Sequence, residues 1–472
     1  MSRNKKKIIR SVTVSMSCVF FEDVMRRLRA DGYEMVAVTS PGPELEKLRK
    51  EGFHCIEVPM ERYISLLKDL KSLWNMIKVF KKEKPYMVHS MTPKAGLICM
   101  MAGWLTGVPV RVHTFTGLVW PTSTGLKRKI LMATDWLTCA CATHVIPEGQ
   151  GVLNDLKNGG ITKKPLKVLG YGNVMGVDME RFDPKRFASD LNTNDRKLTA
   201  NLSVNSSELG TNTNFTNDTN NEKLILENSR VIDDNLRSKE KIDSENCALH
   251  PSDSLSSRDW SSTSLCDSCS KDKPFTFVFV GRIVGDKGIN ELVEAFTQLH
   301  EKYENTKLVL VGPFEKELDP VSELTANRIE ENPAITAVGS KRGDDLLMEY
   351  AKADCFVMPS YREGFPNTPM EAGAMGLPNI VTDINGSREI VGNLNANPNP
   401  NVNLNVNGIK ICDNGIIVPP RTVQPLYEAM KRMLTDDAMR EKMKQNARPM
   451  IQTRFEKSFV QNCLIKFYKE IM

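Results

Sequence analysis

The chain has 472 residues, 40% of them hydrophobic and 26% charged, with a formal net charge of +5. That length is enough for two domains with separate cores. The mild positive charge comes without an aromatic–basic recognition motif, which speaks against a nucleic-acid binder. From the amino terminus, strand and helix patterns alternate, as a parallel sheet covered by helices requires. Strands are predicted within 8–19 (with a loop), 33–39, 54–58, 86–90, 108–113 and 143–147, and helices over 21–30, 44–51, 65–82, 95–105 and 126–140. A glycine-rich junction follows at Gly170-Tyr171-Gly172-Asn173, with Gly176 to Phe182 just after it. A second run of strands is predicted at 275–281, 307–312, 335–339, 354–358, 380–383 and 415–419, with helices over 290–303, 343–353 and 424–434 between them and a last helix over 455–472.

Two segments break this rhythm. Residues 189–273 are rich in Asn, Ser, Thr and Asp with scarcely any apolar periodicity, and are expected to form a disordered insertion. Residues 393–407, a near-repeat of Asn with Pro, Leu and Val, read as an extended surface loop. The Asn-X-Ser/Thr matches at Asn201, Asn205 and Asn217 carry no weight if the protein is cytosolic. Cys266 and Cys269 have no second pair nearby, so no zinc site is expected, and Cys99, Cys139, Cys141 and Cys355 look like core thiols in a reducing cytosol. The basic start Met1 to Lys7 runs straight into a strand pattern, unlike a signal peptide, and the longest apolar stretch (95–110) is too short to span a bilayer. A soluble or peripheral cytoplasmic protein is expected, possible contact being with the inner face of the cytoplasmic membrane.

The most telling segment is Glu363-Gly364-Phe365-Pro366-Asn367-Thr368-Pro369-Met370-Glu371, which follows a buried-strand pattern and leads into a helix. Pro369 suits a first helical turn, and Asn367 or Thr368 is expected to cap it. Free backbone donors at such a start, with the dipole, seat a diphosphate, and Glu363 and Glu371 are placed to flank one ligand. Gly281-Arg282 and Lys287 add a cation pair next to a helix start, suited to the charge that grows on a leaving diphosphate. No Asp-X-Asp sequence sits near these residues, and Asp344-Asp345 and Asp436-Asp437 read as solvent-facing helix residues.

Tyr361 to Pro366, Glu371-Ala372, Gly376-Leu377-Pro378, Val381-Thr382-Asp383 and Gly386-Ser387-Arg388-Glu389-Ile390-Val391 closely resemble the donor block of the family 4 retaining glycosyltransferases. The resemblance implies the GT-B architecture, an α/β fold of two Rossmann-like domains facing across a cleft. On that basis residues 1–172 form an acceptor-side domain, 173–188 the junction, 274–454 the nucleotide-sugar domain and 455–472 a helix crossing back to the first. It also implies metal-independent catalysis, with no cofactor beyond a UDP-sugar co-substrate. Arg282 and Lys287 contact the donor phosphates, Glu363 the transferred sugar and Glu371 the ribose. Gly281, Gly364, Phe365, Pro366, Asn367 and Thr368 complete the donor site.

The segments His89 to Gly96 and Val112 to Gly117 each follow a strand, where open α/β sheets bind ligands, and resemble the subgroup that builds capsule, exopolysaccharide and O-antigen repeats on a polyprenyl-diphosphate carrier. Ser17, Thr92, Lys94, His113, Thr116 and Gly117 are the candidate acceptor and sugar pocket. Thr116 stands where many family members place a histidine, and the Ser15–Cys18 loop lacks their paired glycines. The 65–84 helix, with lysines on one side and Leu67, Leu70, Leu73 and Trp74 on the other, is either a core-facing helix with a solvated basic face or a face on anionic lipid. Two other readings stay open at this point, a nucleotide-sugar 2-epimerase and a non-catalytic nucleotide-sugar-binding scaffold.

Overall fold

The computed structural model describes residues 6–61, 65–187, 273–315, 317, 319–392 and 408–472. Apart from Lys273, the predicted insertion lies outside them, with Asn201, Asn205, Asn217, Cys266 and Cys269, as does the 393–407 loop. The first sheet is wholly parallel and contains β1 (Lys7–Ser11), β2 (Glu34–Thr39), β3 (His54–Glu57), β4 (Met87–Met91), β5 (Val110–Phe115) and β6 (His144–Pro147) in the order β3-β2-β1-β4-β5-β6. Such a sheet must be covered on both faces. On one face α3 (Leu66–Glu83), α4 (Pro93–Thr106) and α5 (Gly125–Cys141) pack around Met76, Phe80, Ile98, Cys99 and Cys139. On the other, α1 (Glu22–Ala30) and α2 (Pro43–Lys50) pack around Phe21, Met25, Leu28 and Leu45. A further helix, α6 (Gln150–Asn158), follows β6.

The second sheet contains β7 (Phe275–Val280), β8 (Thr306–Val311), β9 (Ile335–Gly339), β10 (Cys355–Met358), β11 (Asn379–Thr382), β12 (Lys410–Cys412) and β13 (Gly415–Val418), ordered β12-β13-β11-β10-β7-β8-β9. Only β12 is antiparallel, with Ile411 opposite Ile416. Its helices are α7 (Ile289–His300), α8 (Glu323–Glu331), α9 (Gly343–Lys352), α10 (Asn367–Ala374), α11 (Ser387–Ile390), α12 (Val423–Thr435) and α13 (Asp437–Phe455), and α14 (Lys457–Ile471) ends the chain. Phe277, Phe279, Phe296, Phe356 and Ile416 lie in one buried cluster at its centre.

Sequence reading missed β12, α6, α8, α11 and α13. Pro449 inside α13 argues against a helix there, but the helix buries Met443, Ala447, Met450, Ile451 and Phe455, and tertiary packing outweighs the break. The final helix, α14, places Leu464, Ile465 and Tyr468 in the core of the first sheet beside Ile8 and Phe21. Arg10, fully buried on β1, donates through Nη1 to the Tyr468 hydroxyl at 2.6 Å.

Candidate active site

The donor-site candidates meet because two loops are pressed together. After β7 the chain turns through Gly288, whose φ is +71° and where a Cβ would lie 2.1 Å from the Pro359 carbonyl oxygen. Only glycine permits that approach. The Tyr361 N–H then donates to the Asp286 carbonyl at 2.9 Å, tying the Asp286–Gly288 turn to the end of β10. These constraints bring the Lys287 ammonium onto Glu363 Oε1 as an ion pair, with both side chains mostly buried. Each charge compensates the other, so neither is left unpaired in a partly desolvated position. Arg282 extends from the same strand end and bonds Glu315 at 2.8 Å.

Pro366 is the N-cap of α10 and no side chain caps that helix. The expected caps do other work. Asn367 is 3.3 Å from Asn173, and the Thr368 hydroxyl points at Met358 Sδ at 3.6 Å. Pro369 stands in the first turn, as expected. The first-turn N–H groups are thus free of side-chain partners, which suits an anionic ligand.

The two glutamates turn to different partners in this arrangement. Glu363 faces Lys287, whereas Glu371 lines a cavity of about 160 Å³ with Asn367, Met175, Asp178 and Arg181. The Tyr350 hydroxyl donates to Glu371 Oε2 at 3.2 Å. Burial raises the Glu371 carboxyl above its ordinary value, opposed by that hydroxyl and by the charge of Arg181. A Cβ on Gly364 would meet the Thr116 carbonyl oxygen at 2.3 Å and Gly117 Cα at 3.0 Å. Gly364, Thr116 and Gly117 therefore form one close backbone contact between the lobes, and Phe365 packs on Phe455 with ring centroids 5.4 Å apart. Gly281 sits against the Phe279 ring at the end of β7.

The acceptor-side candidates divide. Thr92, in a left-handed conformation at φ +70°, shares a 2.8 Å hydroxyl bond with Thr13, and the Thr13 hydroxyl accepts the Ala95 N–H of α4. Lys94 is drawn to Asp69 of α3 at 2.7 Å. Ser17 is half-buried in a 3-10 turn, where the sequence suggested a plain loop. His113 is not at the cleft: it is 1% exposed, bonded through Nδ1 to Ser90 at 2.9 Å, and packed so tightly on Gly96 that a Cβ there would meet its ring. Burial pushes its imidazole down to about 3, so it is neutral.

Sequence reasoning missed a second interlobe contact. Glu389, on α11, accepts from the N–H groups of Gln150 at 2.6 Å and Gly151 at 3.0 Å, so a carboxylate from the second lobe caps α6 of the first. Asn385 donates to Asp155 at 2.7 Å beside it. Glu148, buried nearby, is raised well above the carboxylate range by burial and by the Glu389 charge. The signal was present in the Gly386–Val391 segment but named no partner, since the partner is 238 residues away.

Comparison with known proteins agrees with this architecture. Residues 19–172 match the glycosyl transferase 4-like domain and residues 267–450 the glycosyl transferases group 1 family. The capsular polysaccharide biosynthesis glycosyltransferase CapM of Staphylococcus aureus is 27% identical over 99% of this chain and 98% of its own. The UDP-Gal:α-D-GlcNAc-diphosphoundecaprenol α-1,3-galactosyltransferase of Escherichia coli is 26% identical over 70% of this chain and 66% of its own. The crystal structure of HepE of Anabaena with UDP-glucose shares the fold, with a TM-score of 0.62 and 14% identity over 98% of this chain and 99% of that one. Two family matches in tandem, a full-length relative and the two facing sheets agree: the chain belongs to the family 4 GT-B glycosyltransferases of the capsule and polysaccharide type.

Proposed function

We propose that this glycosyltransferase moves a hexosyl or N-acetylhexosaminyl group from a nucleoside diphosphate, UDP being the expected nucleotide, to a polyprenyl-diphosphate-linked saccharide, with retention of configuration and without a metal. The observation that carries the reading is the Lys287–Glu363 pair set beside the side-chain-uncapped start of α10. When a donor enters, Lys287 exchanges its carboxylate partner for phosphate, and Glu363 is released to accept hydroxyls of the sugar. Lys287, Arg282 and the α10 N–H groups then stabilise the charge developing on the leaving diphosphate. Glu371 receives the ribose hydroxyls. Because Gly364 is pressed on Thr116 and Gly117, the lobes must part for the donor and close again around it. The lipid-linked acceptor is supported by the Escherichia coli relative, whose name specifies a diphosphoundecaprenol substrate.

We also place the α3–α5 face of the first lobe on anionic membrane. Trp74, Trp104 and Trp136, one from each helix, are 59%, 60% and 56% exposed, and Leu66, Leu67, Leu70, Leu126 and Ile130 are exposed with them. Lys71 and Lys78 share the α3 stripe of Leu67 and Trp74, while the acids Asp69 and Glu83 are occupied by Lys94 and Lys7. Exposed indoles among lysines suit the headgroup layer.

The test is nucleotide release from a panel of UDP- and GDP-sugars in EDTA, with and without polyprenyl-diphosphate saccharides, the product anomer being read by NMR. Acceptor-dependent release is expected, with Lys287→Ala lowering kcat by about 10²–10³-fold and Glu371→Ala weakening UDP binding. Sugar conversion without nucleotide release would instead establish an epimerase, and UDP binding without turnover a scaffold.

A further inference from the structure

A second cavity, of about 220 Å³, opens between the loop after β5 and the loops at the carboxyl end of the second sheet. Ser123 and Lys127 line it from the first lobe, and Asp286, Tyr361, Arg362 and Arg421 from the second. Three cations face one carboxylate. Asp286 is already matched, 3.3 Å from Arg362 and 3.9 Å from Arg282. Lys127 and Arg421 have no carboxylate partner among the described residues.

Arg421 is held in place at a cost. Its backbone has φ +61°, a left-handed conformation that long side chains rarely adopt. Its guanidinium lies 4.6 Å from the centre of the Tyr361 ring, and Tyr361 is itself fixed because its hydroxyl donates to Glu291 at 2.6 Å. Backbone strain of this kind persists where a side chain must be aimed. Arg421 is therefore a prepositioned planar donor with no anion of its own, and Lys127 stands across the cavity from it as a point charge.

We propose that this cavity binds the diphosphate of the lipid-linked acceptor, a site separate from the one that holds the donor diphosphate. The inference rests on the transferase reading above and names the part of the acceptor that the enzyme recognises. Its location fits the chemistry. Arg362 and Asp286 directly precede Glu363 and Lys287, so an acceptor anchored here lies beside the pair where the sugar is transferred. Leu126 and Ile130, both exposed, adjoin Lys127 on α5 and give the prenyl chain an apolar path from the cavity toward the α3–α5 face.

The experiment compares wild type, Lys127→Ala, Arg421→Ala and the conservative Lys127→Arg on two acceptors, a prenyl-diphosphate saccharide and the same saccharide as an alkyl glycoside. The alanine variants are expected to raise KM for the diphosphate acceptor by about 10–100-fold, the loss of one charge-assisted contact, with UDP affinity unchanged by calorimetry. With the alkyl glycoside all four proteins should agree within about twofold, and Lys127→Arg should stay near wild type on both, as befits a retained cation. Equal losses on both acceptors, or a loss of UDP affinity, would overturn the proposal, the second outcome assigning the cavity to the donor. Binding of farnesyl diphosphate and of farnesol separates this inference from the function on which it rests. If wild type turns over neither acceptor but binds farnesyl diphosphate through Lys127 and Arg421, the transferase reading fails and the site stands. If farnesyl diphosphate binds no better than farnesol, the site fails.

Discussion

Burial pushes the Asp135 carboxyl on α5 up to about 7, whereas an unfolded aspartate titrates near about 3.9. Between those values the folded chain holds a proton that the unfolded chain has released. The stability this group permits is therefore full below about pH 4, falls as pH rises and reaches its lower level above about pH 7, a span of at most about 4 kcal/mol. Calorimetry at pH 5 and pH 8 should show wild type losing more Tm than Asp135→Asn; equal losses would refute the assignment. His113 carries a different lesson at the same scale. Its position at the end of a strand was legible, but its direction was not, because the Ser90 hydroxyl and the flat space left by Gly96 decide where the ring goes. The setting of Glu363 and Glu371 between strand and helix was legible, yet their partners Lys287 and Tyr350 come from elsewhere in the chain.

At the scale of elements, strands and most helices could be read because a doubly covered parallel sheet writes short apolar runs separated by amphipathic helices. The helices that escaped, such as α13 with Pro449 inside it, owe their existence to a surface they cover. The α3 helix was ambiguous for a related reason: a single helix wheel cannot say whether its neighbours extend the pattern. In the structure α4 and α5, the neighbours of α3 on that side of the sheet, each carry one exposed tryptophan as well. Sedimentation with vesicles tests this. Wild type should bind vesicles rich in phosphatidylglycerol and not pure phosphatidylcholine, and Trp74→Ala/Trp104→Ala/Trp136→Ala should lose at least about tenfold in binding, in line with the apolar area removed. A triple variant that binds as well as wild type would show that this face is merely solvated.

For the molecule as a whole, the two lobes are joined across the cleft by the Glu389 cap on α6, the Asn385–Asp155 bond and the Gly364–Gly117 contact. Glu389→Ala removes the charge-assisted bonds, each worth about 1.5–3 kcal/mol, and should shift the ligand-free protein toward an open form with a larger radius of gyration in solution scattering. An unchanged radius with unchanged kcat would show that Glu389 does not hold the lobes. The two alternating β–α halves and the strand-to-helix turn at 363–371 could be read from the chain alone, because apolar periodicity and a proline's place in a first helical turn are local. Only the packed fold settles which carboxylate meets Lys287, which one caps the opposite lobe, and that Glu363 turns to Lys287 while Glu371 turns to Tyr350. Those outcomes depend on contacts between residues far apart in the chain, and only close packing sets their distances.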